Sequence, residues 1–255
     1  MRPPRRLGHG EQTDLVGHLD ELRARLIVSL VAVCAGFAVA YAFHARIVGW
    51  LDQALPPEHR KPVTFGVAEP FTTSVKVSLA AGIALALPVV LWQVWSYLAP
   101  AVEQRAQRTI SAFVGFASVL FALGVAFGYR VALPAAVRFL TTYDSRLYDI
   151  QVRASSYYSF ALAVLVAVGV VFEVPVFVLA LVRLRVVSAA RLRRGWRGGL
   201  ATTAVLAVVL PGVDPVTTTL EMVPLMALYL LSVGLATVFE RRWAAPATTA
   251  TEPPL

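Results

Sequence analysis

The chain alternates long uncharged apolar runs with shorter segments that carry most of its arginine. A helix needs about 20 apolar residues to cross the hydrocarbon core of a bilayer, which is roughly 30 Å thick. The pattern predicts six transmembrane helices, at Leu26–Phe43, Val77–Ala99, Thr109–Tyr129, Ser159–Val182, Gly198–Val213 and Thr219–Phe239. The last two runs are the weakest predictions, because short spans require local thinning of the bilayer.

The composition places the chain in lipid. Its 255 residues are 58% hydrophobic, with a mean hydropathy of +0.68. A soluble domain of this length has too little interior for so much apolar surface. We expect an all-α polytopic membrane protein, with a cytoplasmic tail at 1–14, a six-helix domain at 15–243 and a disordered tail at 244–255. The first run exceeds a usual signal core and five more follow, so we expect it to be retained rather than cleaved.

Positive charge predicts the orientation. Fifteen of the 23 lysines and arginines fall in the two tails and in the second and fourth loops, and eight are spread over the longer loops on the other side. The positive-inside rule then places both termini in the cytoplasm. The long outer loops, 44–76 and 130–158, contain several prolines and are predicted to be shaped caps rather than linkers. Because the basic residues form short clusters between apolar runs, the net charge of +8 does not indicate nucleic-acid binding.

Glu173 is an acid inside an otherwise apolar run. A carboxylate there costs at least about 2.5 kcal/mol unless it is paired, protonated or hydrated. Pro175 removes a backbone hydrogen bond close by and is predicted to kink the helix and open space beside the acid. The position indicates either an accidental acid turned toward a neighbouring helix or a polar contact point or proton-sensitive site that faces a groove.

The N-terminal stretch HLDELRARL, residues 18–26, is amphipathic. Leu19, Leu22 and Leu26 share one face at helical spacing, and Glu21 and Arg25 lie on another. Taken alone, this pattern favours an interfacial helix with a Glu21–Arg25 pair, which stabilises a helix by only a few tenths of a kcal/mol.

Other polar positions fit structural or interfacial roles. Asp214 stands in the tight outer turn between Pro211 and Pro215, where it and Thr218 can cap the last helix. Gln93 lies near the inner end of the second span. The four histidines fall outside the predicted spans, there is one cysteine, and no metal-binding spacing occurs. We therefore expect no catalysis, metal or cofactor.

Several segments, in order along the chain, resemble the TatC family, the polytopic subunit of the twin-arginine protein translocase. HLDELRARL is similar to the family's H-L-x-E-L-R signature before the first span. The further matches are FTTSVKVSL (71–79), PVVLWQVWSYLAP (88–100), YYSFALAVLVAVGVVFEVPV (157–176) with its F-E-x-P, LPGVDP (210–215) and EMVP (221–224).

The resemblance implies a receptor that binds twin-arginine signal peptides and supports export of folded proteins, driven by the proton-motive force. It implies that Glu21 receives the arginine pair, with Leu19, Leu22, Arg23 and Gln93 in the same site. The family has a second glutamate in the first cytoplasmic loop, where this chain has Ala106. We hypothesise that Glu103, one helical turn away, replaces it. The departure is also consistent with a divergent paralogue that has altered substrate preference.

The resemblance further implies that Glu173, Phe172 and Pro175 face a concave intramembrane groove that contacts the signal peptide or single-span partner subunits, with Thr218 contributing to partner docking. It implies an oligomeric complex in the cell (inner or plasma) membrane. Two alternatives remain open: a small-solute or proton-coupled transporter with Glu173 as its carrier carboxylate, and a scaffold without signal-peptide binding. Transporters often show internal repeats, and none is visible in this sequence.

Overall fold

The computed structural model describes residues 15–98, 106–183, 186–211 and 215–244. The described residues are almost entirely helical. The helices are α1 (Leu15–Ala42), α2 (His44–Asp52), α3 (Glu69–Leu98), α4 (Ala106–Phe127), α5 (Leu133–Thr142), α6 (Ala154–Val171), α7 (Val174–Arg183), α8 (Ala189–Arg194), α9 (Trp196–Val209) and α10 (Pro215–Ala244). A π-helical segment, Gly128–Ala132, joins α4 to α5, and a 3₁₀ turn covers Pro57–His59.

Five helical segments of the described chain are long and apolar enough to cross a bilayer. They are Leu19–Ala42, Glu69–Tyr97, Ser111–Thr142, Ala154–Arg183 and Pro215–Glu240. α9 is apolar but shorter, which agrees with the weak fifth run in the sequence. The chain is therefore a multi-pass helical membrane protein.

The helices extend beyond the apolar runs from which they were predicted. α3 begins at Glu69, before the expected start at Val77, and the third span continues through the π-helical segment and α5 to Thr142. α2 also lies in a region that hydropathy assigns to a loop. Much of the predicted outer loops is therefore helix, because hydropathy reports the apolar part of a helix and not its length.

α1 packs mainly against α3 along most of its length. Gly36 and Gly82 form the closest approach, since a β-carbon on Gly36 would lie 2.5 Å from the carbonyl oxygen of Gly82. Only a residue without a side chain allows this contact. Most of the remaining surface of α1 is exposed, including its leucines at 19, 22, 26 and 30.

α4 and α6 also approach closely at glycine. A β-carbon on Gly124 would lie 2.8 Å from the side chain of Phe172, and one on Gly169 would lie 2.7 Å from Phe121. The ring of Phe172 stacks on that of Phe127, with centroids 5.8 Å apart. Small residues in α4 and α6 thus let Phe172 enter the helix interface.

Two of the clusters of buried residues in the described chain lie at opposite ends of the bundle. The cap cluster joins the segments after α1 and α4 to the first parts of α3 and α6; its members are Leu51, Leu55, Val77, Ala132, Leu133, Val137, Ala154, Tyr157, Tyr158, Ala161, Val164 and Val168. The tail-side cluster joins the end of α7 to α8 and the end of α10, through Leu179, Val182, Ala189 and Ala236, with Phe113 of α4 against it. Successive long helices therefore run in alternating directions.

The two segments expected to form shaped caps contact each other at the cap end. Val63 and Arg153 form an isolated parallel β-bridge, in which Val63 N–H donates to the carbonyl of Val152 at 2.9 Å and Ala154 N–H donates to that of Val63 at 2.8 Å. The bridge joins the segment before α3 to the segment before α6. Residues 53–68 and 143–153 are thus linked by backbone hydrogen bonds.

Candidate functional site

Glu21 lies in the second turn of α1, and its side chain is 30% exposed. Its carboxylate accepts hydrogen bonds from Arg25, with Nε at 3.0 Å from Oε1 and the guanidinium Nη2 on the same oxygen. This is the predicted i,i+4 pair. Its geometry leaves Oε2 of Glu21 outside these two hydrogen bonds.

Leu19, Leu22 and Arg23 of the predicted inner site are neighbours of Glu21 in α1 and are exposed. Leu19 and Leu22 are 62% and 43% exposed, and Arg23 is also exposed. Gln93 is half-buried on α3, eleven residues past Gly82, while Glu21 lies fifteen residues before Gly36. At about 1.5 Å per residue, both side chains lie at the same end of the α1–α3 pair, away from the cap cluster.

Two predicted site residues, Glu103 and Asp214, lie outside the described residues. Pro211 is half-buried at the end of the described segment 186–211. Thr218 is half-buried in the first turn of α10. The capping role expected of Asp214 and the proposed replacement of the loop glutamate by Glu103 therefore remain predictions.

Glu173 lies where the fourth predicted span is interrupted. α6 ends at Val171 and α7 begins at Val174, so Phe172 and Glu173 form a turn between them. The side chain of Glu173 is only 7% exposed, and Oε1 is buried without a hydrogen-bond partner among the described residues. A carboxylate in such surroundings carries a high desolvation cost.

Pro175 explains the interruption, because it provides no N–H to the carbonyl four residues earlier. It is the second residue of α7 and is fully buried. Pro88 and Pro224, in contrast, lie inside continuous helices. The kink predicted beside Glu173 corresponds to this interruption of the helix, and the open space expected beside the acid stays a prediction.

Hydropathy did not identify Glu69 as important, although its carboxylate accepts five hydrogen bonds in the structure. Its carboxylate accepts from Phe65 N–H at 3.0 Å, Gly66 N–H at 3.3 Å and Ser155 N–H at 2.9 Å. It also pairs with the Arg153 guanidinium, at 3.1 Å from Nε and 3.3 Å from Nη2. Because Arg153 is 84 residues away, no local pattern reveals this contact.

Glu221 is a further buried carboxylate, 2% exposed in α10. The sequence shows an acid near the start of the sixth run, but not that it faces inward. Thr217, one turn earlier, is fully buried as well. α10 therefore carries buried polar groups among its apolar residues.

These features define a class: a multi-pass helical membrane protein with a buried acid at a helix break and an acidic position at the start of its first span. The chain matches the family model described as Sec-independent protein translocase protein (TatC) over residues 17–224. It belongs to the TatC family and is a subunit of the twin-arginine translocase.

Related proteins and solved structures agree with this family assignment. The chain is 35% identical over 238 residues to the Sec-independent protein translocase protein TatC of Deinococcus radiodurans, covering 88% of this chain and 86% of the relative. It is 32% identical to that of Carboxydothermus hydrogenoformans, covering 87% and 92%. A crystal structure of the twin arginine translocase receptor TatC aligns with a TM-score of 0.72 at 30% identity, covering 87% of this chain and 98% of the other. These matches confirm the resemblance and indicate a role in protein transport, with no enzyme family among them.

Proposed function

We propose that this chain is the receptor subunit that binds twin-arginine signal peptides at the cytoplasmic membrane surface and supports proton-motive-force-driven export of folded proteins. The observation that carries the proposal is the position of Glu21. It is an accessible carboxylate at the start of α1, beside exposed leucines, in a chain of the TatC family. The exposed leucines suit the apolar part of a signal peptide, and the carboxylate suits its arginines.

The partner that Glu21 has within the chain is one that an incoming arginine can displace. Arg25 and Glu21 form a partly exposed i,i+4 pair, which is worth about 0.3–0.5 kcal/mol. A second guanidinium that binds both carboxylate oxygens makes a stronger, charge-assisted contact. In this proposal Arg25 holds the carboxylate in place until the signal peptide arrives.

Binding of a labelled twin-arginine peptide to the purified chain tests this role. Glu21→Gln keeps the side-chain shape and removes the charge, and we expect it to weaken binding at least tenfold. Arg25→Gln is the matched control, and it should bind as well as the unmodified chain or better. A twin-lysine peptide should bind more weakly because lysine lacks the planar fork. Unchanged binding by Glu21→Gln would refute the assignment.

We propose that Glu103 supplies a second carboxylate to the same site in place of the residue absent at Ala106. Glu103→Lys should reduce crosslinking of the signal peptide to the chain, because it brings a like charge toward the arginine pair. Glu58→Lys, a charge reversal in the cap region, is the control. Unchanged crosslinking by Glu103→Lys would leave Glu21 as the recognised acid.

We propose that the chain has six spans and that both of its termini lie in the cytoplasm. We place it in the inner or plasma membrane of the cell. α9 supplies the fifth span; its 14 residues reach about 21 Å. The alternating helix directions support this topology, as does the excess of arginine in the tails and tail-side loops. A reporter that works only in the cytoplasm should be active when it is fused after residue 195 or after residue 244. A reporter that works only outside should be active when it is fused after residue 60.

We propose that Glu173 is a contact point for a single-span partner subunit or for the inserted signal peptide, within an oligomeric complex. Val166 and Val170 of α6 and Phe177 and Leu181 of α7 are exposed on either side of the turn that contains Glu173. A partner helix lying along this face covers the apolar residues and brings its own polar group to the acid. Phe172 and Pro175 hold the helix break open, and Thr218 of α10 adds a polar group toward the cap end.

A further inference from the structure

A pocket of about 480 Å³ lies at the cap end of the bundle, outside the sites proposed for signal peptide and partner helix. It is lined by Trp50, Gln53, Ala54, Tyr129, Arg130 and Pro134. The π-helical segment Gly128–Ala132 supplies Tyr129 and Arg130. Such segments are uncommon and often occur at functional positions in helices.

Tyrosine hydroxyls hold the α2 wall of this pocket in place. Tyr129 OH donates to the carbonyl of Trp50 at 2.8 Å, and Tyr157 OH donates to that of Leu51 at 2.5 Å. Tyr158 OH donates to Oδ1 of Asp52 at 2.6 Å. These bonds engage the end of α2, where the carbonyls of Trp50 and Leu51 also accept from the N–H groups of Gln53 and Ala54 at 3.1 Å. Together they fix the backbone that carries Trp50 and Gln53.

The pocket is positively charged. Arg130 lines it, is exposed, and forms no ion pair with any of the described residues. Arg46, one turn before Trp50 on α2, does not line the pocket, and its guanidinium lies over the ring of Phe43. The acid of this region, Asp52, is directed to Tyr158 and does not line the pocket. A guanidinium, an indole N–H and an amide thus offer donors to an anion.

The position of the pocket indicates that the anion belongs to a lipid. α4 is 22 residues, or about 33 Å, long, so Arg130 follows directly after a stretch that spans the hydrocarbon core. Exposed residues Val119, Leu123 and Ala126 form a stripe at helical spacing that leads to Arg130. Trp50, 60% exposed, is an aromatic residue at this level, as is usual where a membrane protein meets headgroups.

We propose that this pocket binds the phosphate headgroup of an anionic phospholipid, whose acyl chains lie along the exposed stripe of α4. Arg130 pairs with the phosphate, and Trp50 and Gln53 donate to its oxygens or to the headgroup. The lipid would fill the gap between α2 and the end of α4. This inference is independent of how the chain binds signal peptides.

Titration of the full purified chain in neutral detergent tests the proposal, with bound lipid counted by native mass spectrometry. The probes are dihexanoyl phosphatidylglycerol, dihexanoyl phosphatidylcholine and inorganic phosphate. We expect phosphatidylglycerol to bind most tightly and Arg130→Gln to weaken its binding about tenfold. Arg138→Gln removes an exposed arginine of α5 that does not line the pocket, and it should change binding less than about twofold.

Three outcomes would overturn the proposal: unchanged phosphatidylglycerol binding in Arg130→Gln, equal binding of phosphatidylcholine, or inorganic phosphate displacing the lipid at equal concentration. The last would assign the pocket to free phosphate. If Arg130→Gln melts at a lower temperature than the unmodified chain, Gln53→Ala, which keeps the arginine, serves as the second variant. It should weaken binding severalfold, and unchanged binding would count against the site.

Discussion

Glu69 and Glu173 are equally buried acids with opposite surroundings. Each is 7% exposed. The carboxylate of Glu69 accepts from three backbone N–H groups and from Arg153. Oε1 of Glu173, in contrast, has no hydrogen-bond partner in the described part of the chain. The same degree of burial therefore has two explanations, and the hydrogen-bond partners distinguish them.

The difference indicates a structural role for Glu69, whereas Glu173 keeps a carboxylate oxygen without a partner among the described residues. Glu69 joins the two cap segments and gains enough hydrogen bonds to offset its desolvation. Oε1 of Glu173 has no such compensation among the described residues, so its burial carries a desolvation cost. A hydrogen bond from another molecule would offset the desolvation of this carboxylate. Glu173 lies at a helix break beside exposed apolar residues, where such a molecule can bind.

The largest loss of stability is expected for Glu69→Ala. It leaves three N–H groups and Arg153 without their acceptor and removes the side-chain link between the segment before α3 and the segment before α6, which then keep only the backbone bridge at Val63. We expect the thermal unfolding temperature of the chain in detergent to fall by several degrees. Glu58→Ala, an exposed acid in the same cap segment, should leave it unchanged. A similar fall for both variants would mean that Glu69 is not the organising residue.

Glu173→Leu should shift stability in the opposite direction. It replaces a buried carboxylate that lacks a partner on one oxygen with an apolar side chain of comparable size. We expect the free energy of unfolding to rise by about 1–3 kcal/mol, measured by denaturant or heat in detergent. A clear decrease would show that the carboxylate stabilises the bundle, and the contrast with Glu69 would be lost.

A smaller effect is expected at the cap for Tyr157→Phe. The variant removes one hydroxyl, which donates to the carbonyl of Leu51 in a buried position, and leaves the ring. The expected loss is about 1 kcal/mol of unfolding free energy. Tyr148→Phe, an exposed tyrosine in the segment after α5, is the control and should be neutral. No loss for Tyr157→Phe would mean that the hydroxyl does not help to hold α2.

The sequence predicted the features that depend on local pattern. Apolar runs located the five long spans, Pro175 located the interruption beside Glu173, and spacing gave the Glu21–Arg25 pair. The helical parts of the outer segments were not predicted, because α2 and α5 contain polar residues and short amphipathic patterns. The Glu69–Arg153 contact was not predicted either, since it joins residues 84 apart through the packing of two cap segments.

The prolines also show that local sequence does not determine where a helix breaks. Pro175 interrupts a helix, while Pro88 and Pro224 are accommodated within α3 and α10. All three lie in apolar runs, so hydropathy does not separate them. Neighbouring helices decide whether the missing hydrogen bond leads to a break. The inward orientation of Glu221 depended on packing in the same way.

In the role proposed above, Glu173 is kept for contact with another protein and not for the fold. The most direct measurement compares Glu173→Gln with the unmodified chain for export of a twin-arginine reporter and for thermal unfolding of the same purified protein. The account predicts an unfolding temperature that is unchanged or higher, together with a fall in export of at least tenfold. Export at the unmodified level, with a lowered unfolding temperature, would contradict it.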